Sequence, residues 1–403
     1  MKNLIKWLDA RLPLMSTWRR YLSDYYVPKN LNIYYCFGVL ALVALVNQLV
    51  TGIWLTMFYT PTATEAFHSI ESMMRDVHFG WLFRYMHSTG ASAFFIVLYL
   101  HLFRGLLYGS YQRPRELVWI LGVFLFVLIL AEAFFGYLLP WGQMSYWSAQ
   151  VITSLLGVIP YVGEALVNWV RGDFVVSNAT LQRFFSLHSI ALPLVVLFFV
   201  FLHVISLHHV GSNNPEGIDM NRFRDEQGRP LDGIPFYPYY VMKDFLAVLV
   251  FLILFFAAVF FCPDMGGYFL EPTNFIPANT LQTPDHIAPV WYMMPFYAML
   301  RAIPNKTWGV VIMCGAVLIL FFLPWLDKSP VRSMRYKGLY SKCALYGLVL
   351  SFILLGYLGS IDVTPIRQGL AIFCIIIYFA YFFLMPAYTR RERCQVVPDR
   401  ISI

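Results

Sequence analysis

Eight apolar runs long enough to cross a bilayer divide this chain, at residues 32–58, 82–107, 117–139, 184–208, 241–262, 307–326, 342–360 and 367–386. Each predicts a membrane-spanning helix, because a span needs roughly 20 predominantly apolar residues. We label them A to H. The polar positions between them are not evenly charged. The N-terminal segment, residues 104–116, 208–243 and 327–343, and the C-terminal tail together hold 22 of the 29 lysines and arginines. The alternate loops hold only Arg75, Arg84, Arg171, Arg183, Arg301, Lys306 and Arg367. Positive charge marks the inner face, so both termini are expected in the cytoplasm or its equivalent.

Composition agrees with an all-α integral membrane protein. Of 403 residues, 59% are hydrophobic and 13% charged, with mean hydropathy +0.62. The net charge of +7 is then a topology signal and gives no reason to expect nucleic acid binding. No cleavable signal peptide is evident in the first 30 residues, which carry Trp7, Trp18, Arg19 and Arg20 and read as an amphipathic segment on the inner surface. The six cysteines form no CxxC pair, which argues against covalent haem attachment and against a zinc or iron–sulfur site; they read as small apolar fillers.

Four histidines stand out inside apolar helices, where an ionisable residue is costly without a partner or a task. His87 and His101 are 14 residues apart on helix B. That interval returns to within about 40° of the same face after about 21 Å of rise. His188 and His203 on helix D are 15 apart, with Pro193 between them to kink or re-wind the helix. We read the four as two pairs of haem ligands at two depths. B and D run in the same direction, so His87 pairs with His188 on the outer side and His101 with His203 on the inner side.

The 14-residue interval recurs in Gly38 and Gly52 on helix A, and in Gly122 and Gly136 on helix C. Glycine lets a flat macrocycle approach the helix backbone, so these four are candidate haem walls. Arg84 and Arg104 each lie three residues from a helix B histidine and suit haem propionates at the interface. The chain divides into residues 1–210 with helices A–D as a di-haem bundle, an inner loop over 211–240, and 241–403 with helices E–H and a long outer loop between E and F. The stretch from Gly136 to about residue 180 predicts a pair of helices lying on the outer surface. The inner loop places His208, Ser212, Lys243 and Asp244 near the inner ligands, and a histidine with a nearby carboxylate suits proton delivery to a reducible small molecule.

The motifs HLFRGLLYGSY from His101, GYLLPWGQMSYW from Gly136, LHHVGSNNP from Leu207, FYPYYVMKD from Phe236, and PVWY from Pro289 to Tyr292 closely resemble cytochrome b of the respiratory cytochrome bc complex. The resemblance covers residues 20–385. It implies two non-covalent b haems, the low-potential one on His87 and His188 and the high-potential one on His101 and His203. It also implies quinol oxidation at an outer site built by Tyr137, Gly142, Pro289, Trp291 and Tyr292, and quinone reduction at His208, Ser212, Lys243 and Asp244. Electrons from quinol would divide between a partner iron–sulfur protein and the haems, with protons released outside and taken up inside. A Rieske-type iron–sulfur protein, a cytochrome c-type subunit, a homodimeric complex, membrane lipids and a bacterial inner membrane are the implied partners and setting.

Two departures from the family pattern matter. The helix D histidines have 14 residues between them where most members have 13, and Val290 replaces the glutamate of the usual PEWY turn. Valine takes no proton, so Asp285, five residues upstream, is the expected substitute on the outer proton path. Two other readings of the residues are a di-haem anchor of a dehydrogenase and a non-redox transporter with a histidine proton relay.

Overall fold

Backbone amides in hydrocarbon have no water to bond, so each apolar run must satisfy them internally as a helix. In the computed structural model, which describes residues 2–19 and 23–401, the spans are Ile33–Thr56 (A), Gly80–Tyr108 (B), Glu116–Leu138 (C), Asn178–Val210 (D), Phe236–Phe261 (E), Lys306–Leu326 (F), Leu339–Gly359 (G) and Pro365–Phe383 (H). Eight were expected, and the ends differ by a few residues. Helix D begins earlier because Ser177 starts it with a capping box, its own amide donating to Thr180 Oγ1 at 3.0 Å.

Helix D also contains a π-helical turn over Leu187–Ala191, just before Pro193. Proline has no N–H, so the carbonyl of Ser189 lacks its usual α-helical donor and the turn can widen. One extra residue is absorbed there, and the 15-residue interval acts as a 14-residue one. The adjustment involves His188 itself.

Helix A packs along B and helix C along D, while E lies against both A and B. G packs on H and on a short helix, Met294–Ala302, that follows the PVWY turn. The second half is tied to the first by polar contacts. The Trp119 indole donates to the Leu320 carbonyl at 2.7 Å. Tyr111 and Gln112 of the BC loop donate to Asp327, which also pairs with buried Lys337. Removing one partner of such a pair costs about 3–5 kcal/mol, because a charge is left buried alone.

The outer surface pair is Gln143–Ser154 and Gly163–Arg171. A further outer helix, Ala66–Arg75, and a two-stranded antiparallel ribbon of Tyr26–Pro28 (β1) with Gly233–Pro235 (β2) were not expected from the sequence. The ribbon fastens the N-terminal segment to the DE loop, with Val27 opposite Ile234. The N-terminal segment forms short helices Lys2–Asp9 and Leu14–Trp18 with Trp7 and Trp18 exposed, and Arg20 lies outside the described residues.

Candidate functional site

The four histidines meet as two cross-bundle pairs. The His87 and His188 rings are 6.1 Å apart centroid to centroid, with planes at 89°. Those of His101 and His203 are 6.4 Å apart at 66°. Two imidazoles on opposite faces of one metal, at metal–nitrogen distances of about 2 Å, put their centroids about 6 Å apart. Both pairs therefore fit an iron with two axial histidines.

Each glycine of the matched set faces one imidazole. A Cβ at Gly38 would lie 3.6 Å from His101 Cε1, and one at Gly52 would lie 3.2 Å from His87 Cε1. At Gly122 the distance to His203 Cε1 would be 3.2 Å, and at Gly136 the distance to His188 Cε1 only 2.3 Å. The space each glycine leaves is taken by the histidine ring rather than reserved for a macrocycle alone. A cavity of about 380 Å³ opens at the outer pair, lined among others by Gly52, Arg84, His87, Glu132, Gly136 and His188.

The pairs differ in what holds their second ring nitrogen. His87 Nδ1 bonds Thr51 Oγ1 at 2.9 Å, and Thr51 itself donates to the Asn47 carbonyl. Asn47 and Gln48 donate to the Met86 and His87 carbonyls, both at 3.0 Å, locking A to B. His188 Nδ1 meets both the carbonyl and the carboxylate of Glu132, at 2.9 and 3.0 Å. On the inner side, His203 hydrogen-bonds the main chain of Val118, and His101 Nδ1 has no hydrogen-bond partner among the described residues. Arg104 stacks over Tyr35 at 4.9 Å and donates to Ser110 Oγ. Thr51, Gln48 and Glu132 were not singled out from sequence, although polar residues inside apolar spans were the available signal.

The outer pocket elements converge. Asn274 of the EF loop donates to the Tyr137 hydroxyl at 3.0 Å and accepts from the Ser145 amide at 2.7 Å, bridging the end of helix C to the surface helix. Gly142 caps that helix, and a Cβ there would come within 2.7 Å of Asn274. Tyr292 is buried and stacks on Phe95 at 3.8 Å. Burial and the neighbouring Tyr137 push its phenol up, so it remains protonated. The Trp291 indole donates to Ser92 at 3.1 Å, and Pro289 and Val290 are half-buried beside it. Asp285 is exposed on the loop. Half-buried Glu271, three residues before Asn274 on the same loop, accepts from the Thr273 hydroxyl and is a carboxylate the sequence did not bring forward.

On the inner side His208 lies under Tyr25 at 4.6 Å, and Tyr25 hydrogen-bonds Ser212. Burial pushes the Tyr25 phenol up, and the Ser212 bond partly opposes this. Asp244 is half-buried against the Cys36 thiol, which also contacts Tyr240 and lies in the field of exposed Lys243. Cys36 is therefore a polar contact of this cluster and not only a filler. Among the described residues no group of three or more His, Cys, Asp or Glu could hold a further metal ion.

Residues 22–211 match the family described as Cytochrome b/b6/petB, and residues 277–379 match Cytochrome b(C-terminal)/b6/petD. The chain is 56% identical to cytochrome b of Allochromatium vinosum, covering 99% of this chain and 98% of that one. It is 47% identical to cytochrome b of Rickettsia prowazekii, covering 98% and 96%. A solved chain of a hyperthermophilic respiratory complex III superposes with a TM-score of 0.89 at 38% identity, covering 96% of this chain and 99% of that one.

Proposed function

This chain belongs to the cytochrome b family, and we propose that its four intramembrane histidines hold the two b haems of that family as His87 with His188 outside and His101 with His203 inside. It is the multi-pass membrane core of a quinol–cytochrome c reductase, works within a multi-subunit complex, and binds two b haems and quinone. The observation that carries the residue assignment is the pair of ring separations, 6.1 and 6.4 Å, each backed by a glycine that leaves room for the imidazole. When bound, the haems supply one-electron transfer between the two faces. The protein's own part is to orient imidazoles, charge the interface and move protons. Gly38, Gly52, Gly122 and Gly136 admit the ligands, and Arg84 and Arg104 offer guanidinium donors to propionates.

Quinol oxidation falls to the outer pocket of Tyr137, Gly142, Pro289, Trp291 and Tyr292. The proton that Val290 does not take passes by way of Tyr137 toward a loop carboxylate, for which both Glu271 and Asp285 are candidates. Glu271 is favoured because it is half-buried and three residues from Asn274, which bonds the Tyr137 hydroxyl, whereas Asp285 is exposed. Quinone reduction falls to His208, Ser212, Lys243 and Asp244, with half-buried Tyr25 and buried Cys36 as their neighbours. A Rieske-type iron–sulfur protein and a cytochrome c-type subunit accept electrons from the outer site, in a complex that is a homodimer. The alternation of Lys and Arg supports cytoplasmic termini in a bacterial inner membrane. Residues 1–210, 211–240 and 241–403 act as haem bundle, inner loop and quinol-loop half.

Single replacement of His188 or of His203 tests this reading. Each variant is expected to lose a different haem, resolved by redox titration of the b-type absorbance. Equal loss of both signals from a folded protein would overturn the depth assignment.

A further inference from the structure

Helix C carries one carboxylate in its apolar interior, Glu132, and it points at an axial-ligand candidate. Glu132 Oε1 is 3.0 Å from His188 Nδ1, and its own main-chain oxygen is 2.9 Å from the same nitrogen. The second carboxylate oxygen, Oε2, is buried without a hydrogen-bond partner. A half-buried carboxylate in an otherwise apolar helix is not explained by packing, since an apolar residue would fill the space at less cost. The His188 ring lies close against Gly136, where a Cβ would come 2.3 Å from it, and this holds its Nδ1 side toward helix C. With Nδ1–H donated to Glu132, the tautomer is fixed and Nε2 is left free to bind iron. A carboxylate acceptor also makes the imidazole a stronger donor, which favours the oxidised metal.

We propose that Glu132 is a positioning residue that sets the reduction potential of the outer haem through His188. Its counterpart on the other ligand, Thr51 on His87, is a neutral hydroxyl, and on the inner side His203 meets only the neutral main chain of Val118, with no carboxylate at either inner histidine among the described residues. Glu132 therefore separates the two haem sites electronically within a bundle that is otherwise repeated. The inference rests on the assignment of His188 as an outer haem ligand.

The test is anaerobic redox titration of the b absorbance in the intact complex, comparing wild type with Glu132→Gln and Glu132→Thr. Both variants are expected to retain two haems. The outer haem should shift toward the reduced form about tenfold at fixed ambient potential, which is about 59 mV for a one-electron couple, with the inner haem unmoved. Glutamine keeps an acceptor and should shift less than threonine. An unchanged outer potential in either haem-replete variant, or equal shifts of both haems, would overturn the role. So would loss of the outer haem from both variants, which would make Glu132 a structural support instead. A wild-type complex with no outer b haem would instead defeat the ligand assignment itself.

Discussion

The outer and inner histidine pairs are built to one plan and finished differently. Both place two rings about 6 Å apart between helices B and D, and both set a glycine of A or C behind each ring. The closest approach is in the outer pair, where a Cβ at Gly136 would come 2.3 Å from His188 while Gly52 and the inner Gly122 stand alike at 3.2 Å, and the outer ring nitrogens end on Thr51 and Glu132. The inner pair has no such side chain behind it: His203 bonds the main chain of Val118, and His101 Nδ1 has no partner among the described residues. Repeated spacing thus supplies two equivalent positions, and the side chains one shell further out make them inequivalent. That difference matters for a protein that must move electrons in one direction between its two faces.

Substitution of the glycines breaks the comparison most sharply. Gly136→Ala puts a methyl 2.3 Å from His188, so the outer haem should be lost with the inner one kept; haem content by absorbance reads this. The penalty should exceed the about 1–3 kcal/mol usual for overpacking, because backbone on one side and a constrained ring on the other leave little room to relax. Gly38→Ala, at 3.6 Å, should retain both haems. Equal tolerance at the two positions would show that Gly136 is no closer to its ligand than Gly38 is.

Next in size is the outer proton path. Glu271→Gln is expected to slow quinol oxidation by about tenfold, below the about 10²–10⁴ that a fully committed acid–base group supplies. Asp285→Asn should slow it less, since that carboxylate is exposed. The reverse order in steady-state rates would return the role to Asp285. A smaller effect is expected inside: Tyr25→Phe keeps the ring over His208 but removes the bond to Ser212, worth about 1 kcal/mol. Quinone reduction should weaken a few-fold while quinol oxidation holds.

The smallest effect concerns the inner ribbon. Burial would raise the Asp232 carboxyl, but hydrogen bonds from Arg400 and Lys29 outweigh it and hold the group below the ordinary carboxylate range. A depressed folded value means the contribution is fully present above the unfolded pKa of about 3.9 and fades as pH falls through the folded one. Limited proteolysis of the N-terminal segment should be flat from pH 5 to pH 8 and increase only below about pH 4. Asp232→Asn should remove that acid dependence.

Much of this was legible in the chain. Hydrophobic run lengths and charge alternation marked eight spans, because a bilayer imposes length and the positive-inside rule imposes direction. The 14-residue interval, written once in histidine and twice in glycine, marked two depths because helical rise is fixed. What depended on contacts between distant segments was not legible. Ala66–Arg75, the β1–β2 ribbon and the link from Asn274 to Tyr137 were of this kind, the ribbon joining residues up to 209 positions apart, and no local period announces them. Asp285 was chosen for nearness in sequence to Val290, whereas Glu271 gains its claim from the EF loop, which Asn274 ties to Tyr137 three residues further on.

Helix D divides the two kinds of knowledge most clearly. From sequence alone, the 15-residue interval had to be corrected somewhere near Pro193, since an uncorrected helix would turn His203 about 60° from the His188 face. Only the tertiary structure decided that the correction is a π-turn over Leu187–Ala191 and that it involves His188 itself. The physical reason is that a missing proline N–H weakens a turn without choosing its form. The choice came from packing, where Gly136 and Glu132 on helix C admit the imidazole in a single orientation.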